Sequence, residues 1–358
     1  MSHTKICLYI FMITTFFSQQ QDLFAMNKII NKTKEIKNHG LEIKNHKNNT
    51  NIIIIPELTK IFQTGHQCLL SVAIDAKTVA FLTNLNTIKI VHIKTGQCLY
   101  SFTYNKSGIN TLQKITDSTI ALGCLSGKFI IWFFEANAKK KFKNHDNPIY
   151  RIVKMTKKNV IAAHSDGVIE VFDIKREICL KTTFIKPFSF LERLSNTKIM
   201  SGDNEEDFIT ISDIDTETEE AICFTEKSEI CKNSCLLKNS QEQSALCYKK
   251  PETKNMGSIH FFDLNSYKQT QKIDINSTPI FMLNIPTKNA FVLLDNACTI
   301  SLWKLENPVI KVQSIFCFDF LEKNNDTFSS ITYLEKEEMI MAITKKGYVI
   351  TCRCKFKQ

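Results

Sequence analysis

Glycine and proline are scarce in this sequence, 10 and 7 among 358 residues, which excludes collagen-like and Pro/Gly-rich low-complexity chains. Charge of one sign does not dominate either. The excess of 46 Lys+Arg over 36 Asp+Glu leaves a net +10, modest at this length and no argument for nucleic-acid binding. A single long apolar run, Ile6 to Phe17, falls short of the roughly 20 residues that a spanning helix needs. No segment carries an apolar stripe of helical period over the 10 to 12 residues that would announce βαβ units. The phosphate-loop, zinc-protease, nucleophile-elbow and dinucleotide fingerprints are all missing, and with them the usual motifs of catalysis. The 13 Cys lack metal or redox spacing: the nearest pairs are Cys231 with Cys235 and Cys352 with Cys354, so the thiols read as small core residues.

The first 25 residues carry Lys5, then the apolar run, then a polar stretch closing on Ala25. That three-part order predicts a signal peptide at 1–25 and an exported, periplasmic or secreted protein. A cytosolic chain starting at Met26 is the alternative. Residues 26–51 are rich in Lys and Asn and predict a flexible basic linker. The remainder, 52–358, is expected to form one domain.

Within that domain a short segment recurs, in which a turn residue precedes a strand ending in an aromatic residue and often Asp. Its copies begin at Asn86, Gly127, Gly167, Asp207, Gly257, Cys298 and Gly347, at intervals of 41, 40, 40, 50, 41 and 49 residues. Each copy is flanked by further short strands with period-2 or buried apolar patterning, four strands to a unit. Seven such units predict an all-β, seven-bladed propeller of four-stranded antiparallel blades. The chain ends on a third strand, so an N-terminal strand is expected to complete the last blade, and residues 58–63 are placed to supply it.

The strand ends resemble those of the WD-repeat β-propeller family, in divergent form. The Trp-Asp slot holds Trp132-Phe133, Phe172-Asp173, Ser212-Asp213, Phe262-Asp263 and Trp303-Lys304, and Gly65-His66 fills the Gly-His slot. The third unit keeps the pattern best, with His145, Ser165, Asp166 and Phe172 in the family's hydrogen-bonded cluster. The resemblance implies a non-catalytic scaffold, a monomer without cofactor, that binds a protein or peptide.

Several groups invite other chemistry. His164, Ser165 and Asp166 are consecutive, and strand neighbours point to opposite faces, so they do not form a catalytic triad. The nine acids between Asp203 and Glu220 lack the glycine and terminal Glu of a calcium loop. Lys139, Lys140, Lys141 and Lys143 read as a charged strand edge, while His92 and His260 lack zinc-spaced partners. No metal site and no nucleic-acid partner are expected. Long intervals at 225–233, 248–256 and 321–328 put extra chain on one rim, where Tyr104, Lys106, Asn147, Tyr150 and Tyr248 are the expected partner contacts. The alternative is an exported propeller enzyme of lactonase or quinoprotein type.

Overall fold

The computed structural model describes residues 42–45, 52–55 and, with gaps, 67–356. The expected leader, most of the linker, and Gly65-His66 lie outside the described residues. All the described strands belong to the unit Ile43–Gln358 except for Glu42 at the start of the first.

Two short strands come first, β1 (Glu42–Asn45) and β2 (Ile52–Ile55). Blade 1 then comprises β3 (Cys68–Ala73), β4 (Thr78–Thr83), β5 (Thr87–His92) and β6 (Cys98–Thr103). Blade 2 is β7 (Ile109–Thr116), β8 (Thr119–Cys124), β9 (Phe129–Phe133) and β10 (Ala138–Phe142). Blade 3 is β11 (Ile149–Lys154), β12 (Asn159–His164), β13 (Val168–Asp173) and β14 (Ile178–Phe184). Blade 4 is β15 (Phe190–Arg193), β16 (Lys198–Gly202), β17 (Phe208–Asp213) and β18 (Thr218–Cys223). Blade 5 is β19 (Glu229–Ile230), β20 (Gln243–Lys249), β21 (Gly257–Asp263) and β22 (Lys268–Ile275). Blade 6 is β23 (Pro279–Ile285), β24 (Ala290–Asp295), β25 (Thr299–Lys304) and β26 (Ile310–Phe316). The chain closes with β27 (Phe328–Leu334), β28 (Met339–Thr344) and β29 (Val349–Phe356).

Each blade is an antiparallel sheet in simple up-and-down order. The fold is an all-β propeller of four-stranded antiparallel blades, as the repeat predicts. Inner strands touch in sequence, β3 to β7 to β11 to β15, and β27 returns to β3. Wherever its burial is described, the second strand of a blade is almost wholly buried, as in TVAFLT of β4 and TIALGC of β8, because sheets cover both its faces. Outer strands such as β14 alternate between exposed and half-buried residues.

The cores lie between sheets. Ile88, Ile90 and Phe102 of blade 1 pack with Ile120, Leu122 and Trp132 of blade 2. Phe129 of blade 2 stacks on Phe172 of blade 3, with centroids 4.6 Å apart. Cys68, Phe81 and Val91 of blade 1 share a core with Leu334, Met341 and Ile343 near the C-terminus. Burying one such side chain contributes roughly 1.5–3 kcal/mol, so the stability of each blade depends on its neighbours.

Two details differ from expectation. The strand beside β29 is β2, pairing Ile52 with Phe356 and Ile55 with Arg353, while residues 58–63 lie outside the described residues. Four consecutive β-branched Ile suit an extended edge better than a segment carrying Lys60 and Gln63. Within the stretch expected to be linker, Glu42–Asn45 forms β1 beside β26 and gives blade 6 a fifth strand.

Candidate partner-binding rim

Local chemistry fixes the turns on both rims. At the turn after the third strand, Asp173 Oδ1 accepts the N–H groups of Lys175 and Arg176 at 2.8 Å each. Asp213 Oδ1 does the same for Asp215 and Thr216, at 3.0 and 3.3 Å. This is the physical content of the Asp in the repeat: its carboxylate satisfies two turn amides, an Asx-type turn. Burial would raise the Asp213 carboxyl, but those two amides and the Thr197 hydroxyl bring it below its ordinary value. In blade 1 His92 takes this slot, its Nδ1 meeting the Thr95 amide at 3.3 Å. Asp263 sits there in blade 5 and accepts from the Ser266 hydroxyl at 2.8 Å.

On the opposite rim the turn between second and third strands needs a left-handed residue. Asn86, Gly127, Gly167 and Cys298 all have φ between 53° and 90°. A Cβ on Gly167 would stand 2.0 Å from the carbonyl oxygen of Ile185, so only glycine fits.

The repeat cluster of blade 3 gathers beneath this rim. His145 Nε2 lies 3.5 Å from Asp166 Oδ2, and the Asn147 side-chain amide donates to the same carboxylate at 2.7 Å. The side chain that completes the cluster is His164, not Ser165. His164 is fully buried, with Nδ1 at 2.7 Å from the Asn147 carbonyl and Nε2 at 3.1 Å from Glu170 Oε2. Ser165 contributes its backbone N–H to Pro148. Burial opposes the charged imidazole, yet the bonds to Glu170 and to the Asn147 carbonyl outweigh it and raise the His164 pKa. For Asp166, burial is likewise outweighed, here by the Asn147 amide and the Val168 N–H, and its carboxyl is lowered.

Other repeat residues serve the core. Trp132 is buried with Nε1 unpartnered among the described residues; Cys124 stands in its blade where His164 stands in blade 3. Trp303 Nε1 donates to Ser301 at 3.1 Å. Both Phe172 and Trp303 stack on aromatic neighbours, Phe129 and Phe291.

The expected contact residues are distributed unevenly. Lys106, Asn147 and Tyr150 are exposed on the rim. Tyr104 is not: only 4% exposed, its ring lies in the core between blades 1 and 2, because it continues the inward-facing register of Phe102. Tyr248 lies on β20 opposite Ser258, and its side chain is outside what is described.

Sequence reasoning missed three leucines on the same rim. Leu69, Leu85 and Leu125 are 42, 56 and 49% exposed, beside Tyr150 at 48%. Leu69 and Tyr150 occupy one repeat slot, the second residue of an inner strand, where the register shifts in both blades. Such a bulge turns one side chain away from the sheet. The loops beneath are pinned: Ile109 N donates to Asn86 Oδ1 at 3.2 Å, Ser107 and Ser126 hydroxyls meet at 2.9 Å, and Asn110 Nδ2 donates to the Ile149 carbonyl at 3.1 Å. A signal existed in the sequence, since apolar Leu85 and Leu125 stand in turns where polar residues prevail.

The basic run has a different purpose. Strand alternation sends Lys139 and Lys141 over the rings of Phe102 and Tyr104, 5.1 and 5.8 Å from their centroids. Lys140 faces the other way and pairs with Glu177 of blade 3. Among the described residues no three His, Cys, Asp or Glu converge as metal ligands. Burial pushes the Cys68 thiol up to about 12 and that of Cys124 up to about 11, which leaves both as apolar core groups.

The sequence matches no protein-family model and no curated protein. Its structure is similar to that of U3-55K, with TM-score 0.67 and 12% identity over 84% of this chain and 100% of that one. A chain of the mitotic checkpoint complex aligns at TM-score 0.65 and 14% identity, over 87% of this chain and 94% of the other. The WD40 repeats of RRP9 align at 0.67 and 11% identity, over 88% and 100%. The chain has the WD40 propeller fold. At this level of identity the likeness concerns architecture, and the WD40 propeller described here differs from the repeat pattern in its buried His164–Glu170 pair.

Proposed function

We propose that this WD40 propeller is a non-catalytic scaffold that binds a protein or peptide on the rim of blades 1–3. The observation that carries the reading is the exposure of Leu69 and Tyr150 at strand starts and of Leu85 and Leu125 in turns, on a rim held by a hydrogen-bonded frame. Apolar and aromatic tips on a rigid support lose little conformational entropy on binding and supply the anchors of a protein interface. Lys106 and Asn147 add a polar margin to the patch. The mitotic checkpoint complex, whose chain is among the structural neighbours, is by its name an assembly of proteins.

The scaffold is read as a seven-bladed ring. Its support is the seven sheets among the described residues, with Ile52–Ile55 as outer strand of the last and a core shared between Phe81 and Met341. An outer strand supplied from the N-terminal side joins the two ends of the chain and removes an exposed sheet edge. Residues 1–25 are read as a cleaved export leader, which N-terminal sequencing of the mature protein checks.

The decisive experiment compares the wild type with a Leu85→Ser, Leu125→Ser, Tyr150→Ala triple variant by proximity labelling in the native cell. Equal melting temperatures establish that both are folded. The expected result is a set of labelled polypeptides reduced at least tenfold in the variant; an identical set from both proteins sinks the rim.

A further inference from the structure

On the rim opposite the apolar patch, three cations gather at one repeat position. Lys114 of β7, Lys154 of β11 and Arg193 of β15 each stand opposite the second residue of the next strand, Ile120, Val160 and Ile199. Ala73 holds the same place in blade 1, Asn284 in blade 6 and Tyr333 beside β28, so among the described residues the cations at this position are those of blades 2–4. Each cation reaches back to the preceding blade. Lys114 Nζ donates to the Ile74 carbonyl, Lys154 Nζ to the Ile115 carbonyl, and Arg193 to the Lys154 carbonyl at 3.3 Å. Those contacts set the three head groups in a row along the ends of adjacent inner strands, near enough that Lys114 and Arg193 act electrostatically on Lys154.

Their charge is poorly balanced. Among the described residues Asp117, 2.6 Å from Lys114 Nζ, is the one carboxylate that acts on Lys154, against Lys114, Arg193 and Lys157. The amine of Lys154 is lowered by burial first and by those like charges second. Among the described residues the Ile115 carbonyl is its single hydrogen-bond partner, leaving two of its three N–H groups unused. Arg193 spends three donors, on Lys154, Ser195 and Asn196, of the five that a guanidinium has. A purely structural tie of blade to blade would be served by neutral donors and would not concentrate like charge.

We infer that Lys114, Lys154 and Arg193 form a binding site for a small phosphate-bearing anion at the inner end of blades 2–4. A phosphate group offers several acceptor oxygens and up to two negative charges, matching both the unused donors and the charge surplus. The half-buried position of the lysines favours a small soluble anion that enters between the turns over a flat membrane surface.

The test is calorimetric titration of the whole protein with inorganic pyrophosphate at low salt. Saturable binding is expected in the wild type, at least tenfold weaker in Lys154→Met and unchanged in Lys268→Met, an exposed residue of the outer strand of blade 5. A parallel flotation assay uses phosphatidylcholine vesicles with and without phosphoinositide. Because Lys154→Met removes a tie between blades, the wild type is also probed by amine acylation and mass spectrometry, where pyrophosphate should protect Lys114 and Lys154 but not the exposed Lys268. Failure of the wild type to bind pyrophosphate, equal binding by folded Lys154→Met, absence of protection, or binding to phosphoinositide vesicles alone would each overturn the assignment. The outcome is independent of the apolar rim.

Discussion

The hydroxyls of Ser71 and Ser330 lie 2.7 Å apart although 259 residues separate them. They join β3 to β27, the two inner strands at the ends of the propeller sequence, directly beside the core of Phe81, Met341 and Ile343. A hydrogen bond of this kind contributes about 1 kcal/mol, and the apolar contacts around it contribute more. Met341→Ala should therefore cost about 2–5 kcal/mol in denaturant unfolding, while Ser71→Ala should cost about 1 kcal/mol. The double variant Ser71→Ala, Ser330→Ala should be less destabilised than the sum of the two singles, because each single removes the same bond.

The His164–Glu170 pair is buried on both sides. Replacing Glu170 by Ala strands a buried imidazole, and a loss of about 3–5 kcal/mol is expected from urea unfolding. Because the folded His164 pKa is raised, its contribution is complete below the ordinary value of 6.5 and is lost as pH rises through the folded pKa. NMR titration of the ring should show a lower pKa in Glu170→Gln.

Two carboxylates should give opposite acid responses. Asp213 is lowered in the folded protein, so its stabilising effect is present above 3.8 and fades as pH falls through the folded value. Glu192 is pushed up to about 6 by burial, against the pull of Arg151. Its folded form holds a proton that the unfolded chain gives up, so stability should fall as pH rises from 4.5 to about 6. In thermal melts Glu192→Gln should flatten the response between pH 4.5 and about 6, and Asp213→Asn should flatten the response below pH 3.8.

Gly167 has φ of 90° and no room for a side chain beside Ile185. Gly167→Ala should destabilise the protein by more than the roughly 1 kcal/mol that an unstrained glycine replacement involves, read as a lower melting temperature.

The strands and turns of this protein were legible because their causes are local. The alternation around Ile88, the left-handed turn at Gly167 and the carboxylate of Asp173 act within a few residues of themselves. Contact residues were harder to read. Tyr104 looks like a rim aromatic in the sequence but follows Phe102 by two and so points into the same core. His164 and Ser165 are neighbours of opposite facing, and only the packed blade shows that the imidazole is the buried one. For the strand beside β29, Ile52–Ile55 and residues 58–63 are both within reach, and the choice rests on how each fits an edge formed some 300 residues later.

By itself the sequence determined the repeat, the four-stranded unit and the all-β architecture, since period-2 patterning and turn chemistry are properties of short stretches of chain. Tertiary structure decided which surfaces face outward, how Lys139 and Lys140 divide between two neighbours, and that Lys114, Lys154 and Arg193 come together. Those relationships join residues 37 to 40 positions apart, and stacking of one blade on the next is what brings them within reach.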